Sequence, residues 1–279
     1  MNAALEKLAA EPEPVGRIEN RSVPGPVGTL PARFYWPRED AAGLLPVCLS
    51  FHSGGYVVYD LESVDAQCRI LTNRTPCIVI SIDYRLAPEA KFPAPVEDCR
   101  AAAEWTAGHA HTFGGDPSRM ALAGEICGGT MASVVSMLAR DAGGPPIALV
   151  AMVCPLAEMI DPPPTTEIGR LARWFRRLYL NNDSEAADFR ASPLLATDFA
   201  GLPPTLIVTG EHDPLCGQGE AYAAKLRTAG VAVEYACFDG MIHNFTSMGG
   251  ALDGAEAALD RIAAALRRAF GTTRSGLPA

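Results

Sequence analysis

The sequence predicts an α/β fold: a mostly parallel central sheet, flanked by helices on both faces and carrying a small helical cap. Three observations point there. Short, wholly apolar runs at residues 47–52, 77–83 and 147–154 have the length and composition of strands buried on both faces. Between them lie longer stretches with apolar residues at helical spacing, such as 96–107 and 251–270. The turns leading from strand to helix are rich in glycine and carry most of the reactive side chains.

Taken in order, residues 1–13 predict one short amphipathic helix ended by Pro12 and Pro14. Strands at 17–21 and 30–36 flank the turn Pro24-Gly25-Pro26. Strand 47–52 opens into the loop His52-Ser53-Gly54-Gly55-Tyr56, whose glycines allow backbone N–H groups close to a ligand. A helix at 62–72, strand 77–83 and a helix begun by Pro93 and Pro95 follow. The turn Gly114-Gly115-Asp116-Pro117 leads to strand 120–123, then a helix to about Arg140 and strand 147–154. Residues 156–200 differ in character, with Pro162-Pro163-Pro164 and an aromatic, arginine-rich stretch at 168–180. They read as an inserted cap. Strand 205–209, helix 219–229, strand 232–238 and helix 251–270 complete a single domain spanning 1–279, with cap elements at 1–13 and 156–200.

Composition narrows the function. The 279 residues are 48% hydrophobic, enough for a sizeable core. A net charge of −9 argues against a nucleic-acid or anionic-membrane surface. The eight cysteines form no C-x-x-C pair and no metal-ligand spacing, so they read as small buried hydrophobes in a reducing compartment. No leader-like start and no long apolar run is present, which predicts a soluble cytoplasmic protein. The absence of a phosphate loop or dinucleotide fingerprint predicts no cofactor and no metal. The expected partner is a small-molecule substrate, with neither nucleic acid nor membrane, and a homodimer stays open.

The chemistry centres on Leu122-Ala123-Gly124-Glu125-Ile126-Cys127-Gly128-Gly129-Thr130. An apolar strand running into a glycine turn and then a helix is the local pattern of a nucleophile elbow, G-x-S-x-G. The glycines stand at 124 and 128, but Ile126 occupies the serine position. Downstream come Asp213, in Gly210-Glu211-His212-Asp213-Pro214-Leu215, and His243, in Gly240-Met241-Ile242-His243-Asn244-Phe245. Each follows a predicted strand. An acid there can hold the imidazole in one tautomer, leaving its other nitrogen as a base.

These motifs resemble the bacterial hormone-sensitive-lipase family of esterases, which have the α/β-hydrolase fold. His52-Ser53-Gly54-Gly55 resembles that family's H-G-G-G oxyanion loop. Asp83-Tyr84-Arg85-Leu86-Ala87-Pro88-Glu89 and Phe92-Pro93-Ala94-Pro95-Val96-Glu97-Asp98 match its landmarks almost letter for letter. Gly115-Asp116-Pro117-Ser118-Arg119 resembles the run-up to its elbow, and the order elbow, Asp213, His243 is that of its triad. The similarity covers roughly residues 30–270. It implies an oxyanion hole built from the backbone N–H groups of Gly54, Gly55 and Cys127. The departures sit at the chemistry: the family's G-D-S-A-G-G has become Gly124-Glu125-Ile126-Cys127-Gly128-Gly129, Ser53 replaces a loop glycine, and Tyr59 stands where a glycine usually follows.

Isoleucine cannot attack a carbonyl. The sequence therefore predicts a non-hydrolytic enzyme of lyase, cyclase or isomerase type, with the His243–Asp213 dyad as general base on a small carbonyl metabolite of biosynthesis. The alternatives are a non-catalytic ligand-binding protein and a weak esterase that uses His243-activated water. Cys127, one residue past the apex, reads as buried packing, and Ser53 as a backbone cap. Glu125 reads as a structural carboxylate. Tyr56, Ser53, Glu125 and Trp174 are further pocket candidates, with Trp174, Phe175 and Tyr179 read chiefly as cap packing.

Overall fold

A computed structural model describes residues 7–38, 43–160, 162 and 165–272. Its eight strands are β1 (Arg17–Gly25), β2 (Gly28–Trp36), β3 (Leu45–Phe51), β4 (Ile78–Ile82), β5 (Gly115–Glu125), β6 (Ile147–Val153), β7 (Thr205–His212) and β8 (Val233–Ile242). They form one sheet in the order β1-β2-β4-β3-β5-β6-β7-β8. Only β2 runs against the rest, pairing antiparallel with β1 and β4. The predicted α/β architecture is thus the observed one.

Alternation along the strands divides the core into two layers. In β4, Ile78, Ile80 and Ile82 face one layer and Val79 the other; in β5, Met120 and Leu122 oppose Ala121 and Ala123. Helices α2 (Ala94–His109), α3 (Cys127–Asp141) and α5 (Cys216–Thr228) cover the first face, while α1 (Asp65–Arg74) and α6 (Asp253–Phe270) cover the second. The strands are apolar on both sides because both sides are covered. Burying each such isoleucine fully is worth about 1.5–3 kcal/mol.

Two motif stretches, 83–89 and 92–98, prove to be one joint. Arg85 forks onto the fully buried Asp98, with Nη2 to Oδ1 at 2.7 Å and the Arg85 backbone N–H to Oδ2 at 2.9 Å. This buried carboxylate is paired and hydrogen-bonded, as burial demands.

Several boundaries differ from expectation. Of the helix expected over 1–13, residues 1–6 lie outside the described residues, and 7–13 form turns and irregular chain. That segment is held by the backbone, with Gly250 N–H donating to Leu8 C=O at 2.8 Å. Strand β5 starts at Gly115, five residues early, because its polar start satisfies itself: Asp116 accepts from the Ser118 N–H at 2.9 Å and from Arg119 Nε at 2.7 Å. Strands β7 and β8 continue past their apolar runs to pair His212 with Ile242. Within 156–200 the helix α4 (Glu167–Tyr179) begins at Thr166, whose hydroxyl accepts from the Gly169 N–H at 3.0 Å.

Candidate active site

The parallel pairing of β7 and β8 puts the acid beside the base. His212 and Ile242 are partners in the ladder, so the next residue of each strand, Asp213 and His243, emerges from the same end of the sheet. His243 Nδ1 lies 2.9 Å from Asp213 Oδ1. That contact assigns the Nδ1 proton to the bond and leaves Nε2 as the acceptor. The His243 side chain is about one-third exposed at 31%, whereas the Asp213 side chain is wholly buried. Burial pushes the Asp213 carboxyl up. The His243 bond and charge, the Cys154 thiol and the Leu215 N–H outweigh it, so the group lies below its ordinary value.

At the elbow, Gly124 and Gly128 let strand β5 and helix α3 touch. A Cβ on Gly124 would sit 2.2 Å from the Gly128 carbonyl, and one on Gly128 would sit 1.9 Å from the Phe51 oxygen. Between them Ile126 adopts φ +55°, ψ −111°, a conformation that strains a β-branched residue by about 1–3 kcal/mol. Surrounding bonds impose it. Ile126 N–H donates to Val153 C=O at 2.8 Å, and its carbonyl accepts from Thr130 N–H at 3.1 Å. The Ile126 side chain is partly buried against the apolar layer that contains Val153 and Phe245.

Glu125, the last residue of β5, is buried and reaches the turn after His243. Thr246 Oγ1 donates to its Oε1 at 2.5 Å and Ser247 Oγ to its Oε2 at 3.2 Å. Burial pushes this carboxyl up, against the lowering effect of Thr246, His243, Ser247 and Gln67. Glu125 thus ties the elbow to the turn that follows His243.

The glycine loop is shaped by close approach. A Cβ on Gly54 would meet the Val58 oxygen at 2.0 Å, and Tyr59 holds φ +81°, the left-handed backbone usually left to glycine. Tyr84 Oη donates to the His52 carbonyl at 2.8 Å, and its ring stacks on His52 at 4.1 Å. Burial drives His52 down to about 4, so this imidazole is neutral near pH 7. Ser53 is buried, with its carbonyl engaged by His52 Nδ1 at 2.7 Å. The Cys127 thiol is pushed up by burial; the backbone N–H groups of Tyr56, Gly55 and Gly128 act on its sulfur in the opposite sense. Cys127 is thus buried packing, with its sulfur against the glycine loop.

Of the aromatic pocket candidates, Tyr56 is buried and stacks face to face on Tyr179, with centroids 3.7 Å apart. Trp174 is half exposed and leans on Phe175 at 5.2 Å. Phe175 is the side chain that reaches the loop: a Cβ on Gly55 would lie 2.5 Å from its ring. The signal for it was its i, i+4 spacing from Tyr179, which puts both on one face of α4. Among the described residues, no three His, Cys, Asp or Glu side chains cluster as metal ligands. No helix among them is long and apolar enough to cross a membrane.

A parallel sheet with an elbow after β5, an acid after β7 and a histidine after β8 defines the α/β hydrolases. The chain belongs to the alpha/beta hydrolase fold family, whose model matches residues 48–247. That bears out the resemblance to the hormone-sensitive-lipase-like branch. The chain is 38% identical to the carboxylic ester hydrolase LipN of Mycobacterium tuberculosis, over 90% of this chain and 70% of that one. It is 37% identical to esterase LipI of the same organism, over 94% and 86%. A serine-to-alanine mutant of LAE6, an alpha/beta hydrolase enzyme from the metagenome of Lake Arreo, Spain, superposes with TM-score 0.91. It is 39% identical, covering 97% of this chain and 88% of that one.

These relatives overturn the expected non-hydrolytic function of lyase, cyclase or isomerase type: proteins this similar over nearly the whole chain are named ester hydrolases. The physical reason lies in the pocket. The expectation rested on the side chain at position 126 alone, and the bonded Asp213–His243 pair suits a proton taken from water at least as well as one taken from carbon.

Proposed function

We propose that this chain is a carboxylic-ester hydrolase lacking the family's nucleophilic serine, in which water activated by His243 attacks the ester carbonyl directly. One observation carries the reading: His243 is bonded to Asp213 at 2.9 Å while the elbow apex holds Ile126, a side chain with nothing to donate or attack with. The esterase names of its relatives support the choice of bond.

In this mechanism Nε2 of His243 takes a proton from water as its oxygen adds to the carbonyl carbon. Asp213 stabilises the imidazolium that forms. The N–H groups of Gly54, Gly55 and Cys127 receive the developing oxyanion, each such donor being worth about 3 kcal/mol. Collapse of the tetrahedral intermediate expels the alkoxide, which recovers the proton from His243. No covalent acyl-enzyme forms. Residues 156–200 act as the cap of a single domain, supported by Phe175 against Gly55. The eight cysteines, without a C-x-x-C pair, fit a cytoplasmic setting.

The test is hydrolysis of p-nitrophenyl acetate and butyrate by the wild type and by His243→Ala. We expect steady turnover with no pre-steady-state burst, no labelling by an aryl phosphonate, and loss of turnover in the variant. A burst, covalent labelling, or full activity in His243→Ala would overturn the proposal, as would a wild type without turnover.

A further inference from the structure

We propose that Cys216 and Cys237 are a modification site: a thiol pair that a hydroperoxide converts to a reversible disulfide. The two sulfurs lie 3.8 Å apart, in van der Waals contact. They are also the two cysteines that solvent reaches. Cys237 is exposed and Cys216 partly so, while Cys48, Cys68, Cys77, Cys99, Cys127 and Cys154 are buried.

Both partners are held by backbone. Cys237 sits in β8 opposite Thr209 of β7, and Cys216 opens α5, its N–H donating to the Asp213 carbonyl at 2.9 Å. Thr209 Oγ1 lies 3.6 Å from the Cys216 sulfur and 3.0 Å from the Tyr235 hydroxyl, so polar groups surround the pair without separating it. Closing from contact to a bond of about 2.05 Å calls for rotation of the two side chains. Burial, followed by its neighbours Cys216 and Asp239, pushes the Cys237 thiol up, which lowers its thiolate fraction and slows its attack on a peroxide.

The step balances. The Cys237 sulfur attacks the hydroperoxide, breaking its O–O bond to give a sulfenic acid and one molecule of water or alcohol. The Cys216 sulfur then displaces water from that sulfenic acid, forming S–S. Two thiols lose two electrons and two protons, and the peroxide gains them. A dithiol reductant reverses the change. The bond would join the helix that follows Asp213 to the strand that precedes His243, restricting both ends of the dyad.

The experiment treats the reduced full-length protein with hydrogen peroxide, alkylates free thiols under denaturing conditions and measures intact and peptide masses. We expect six alkylated cysteines instead of eight, a mass two hydrogens below the reduced chain once the alkyl groups are subtracted, a peptide cross-link between positions 216 and 237, and recovery with dithiothreitol. Cys237→Ser should abolish the cross-link, while Cys216→Ser should leave a dimedone-trappable sulfenic acid at Cys237. Thermal unfolding of each variant checks that it folds, and the oxidised wild type should unfold at a higher temperature than the reduced form. Eight alkylated thiols after peroxide, cross-linking that survives Cys237→Ser, or intermolecular dimers in place of the internal bridge would overturn the proposal.

Discussion

Thr246 Oγ1 donates to Glu125 Oε1 across 2.5 Å and so fastens the turn after His243 to the last residue of β5. Burial raises the Glu125 carboxyl above its ordinary value. The folded protein therefore holds the Glu125 proton more tightly than the unfolded chain. Stability from this group is greatest below the ordinary glutamate range and is lost as pH rises from there through the raised value. Glu125→Gln keeps the shape and an acceptor for Thr246 but cannot ionise. It should unfold at a temperature close to wild type at pH 4 and above wild type at pH 8, measured by calorimetry. A variant weaker than wild type at pH 8 but not at pH 4 would mean that the ionised carboxylate itself holds the turn.

Asp213 works in the opposite sense. Its carboxyl sits below its ordinary value because the His243 bond and charge outweigh burial. Its contribution is present above the usual aspartate range and is lost as pH falls through the lower folded value. Asp213→Asn should preserve the fold near neutral pH yet leave His243 free to take the wrong tautomer. From the behaviour of triads in general, kcat/KM for a p-nitrophenyl ester should fall by about 10⁴-fold. A loss under tenfold would show that His243 does not depend on this partner.

Much of this site was legible because its residue types are rare in their setting. A glycine pair, an aspartate and a histidine at the ends of apolar strands stand out against a sheet of Val, Ile and Leu. What stayed hidden was geometric. Strands β7 and β8 run beyond their apolar stretches, since the pairing of Gly210 with Phe238 and of His212 with Ile242 is made by backbone, whatever the side chains. Gly115–Arg119 looked like a turn because its polar side chains bond one another within a strand. The spacing of Phe175 from Tyr179 places both on one face of a helix, but only the path of α4 puts that face on Gly55. An elbow apex sits in a strained turn, but only the backbone could show that Ile126 keeps that strain rather than relaxing it.

The sharpest test lies at the apex itself. Ile126 keeps φ +55°, ψ −111° although nothing about isoleucine favours it, so the bonds to Val153 and Thr130 hold the turn in the strained shape of an elbow. Ile126→Ser keeps the backbone bonds of the turn and should turn a hydroxyl towards the His243–Asp213 dyad. It also removes the β-branch, which relieves part of a strain of about 1–3 kcal/mol and offsets the apolar burial that the smaller side chain gives up. The variant should fold, hydrolyse p-nitrophenyl esters at least 10²-fold faster than wild type, show a burst of one p-nitrophenol per chain, and become labelled by an aryl phosphonate. A variant that folds but stays unlabelled and no faster would mean that His243 cannot reach the apex, and general-base attack by water from the same imidazole would lose its geometric basis.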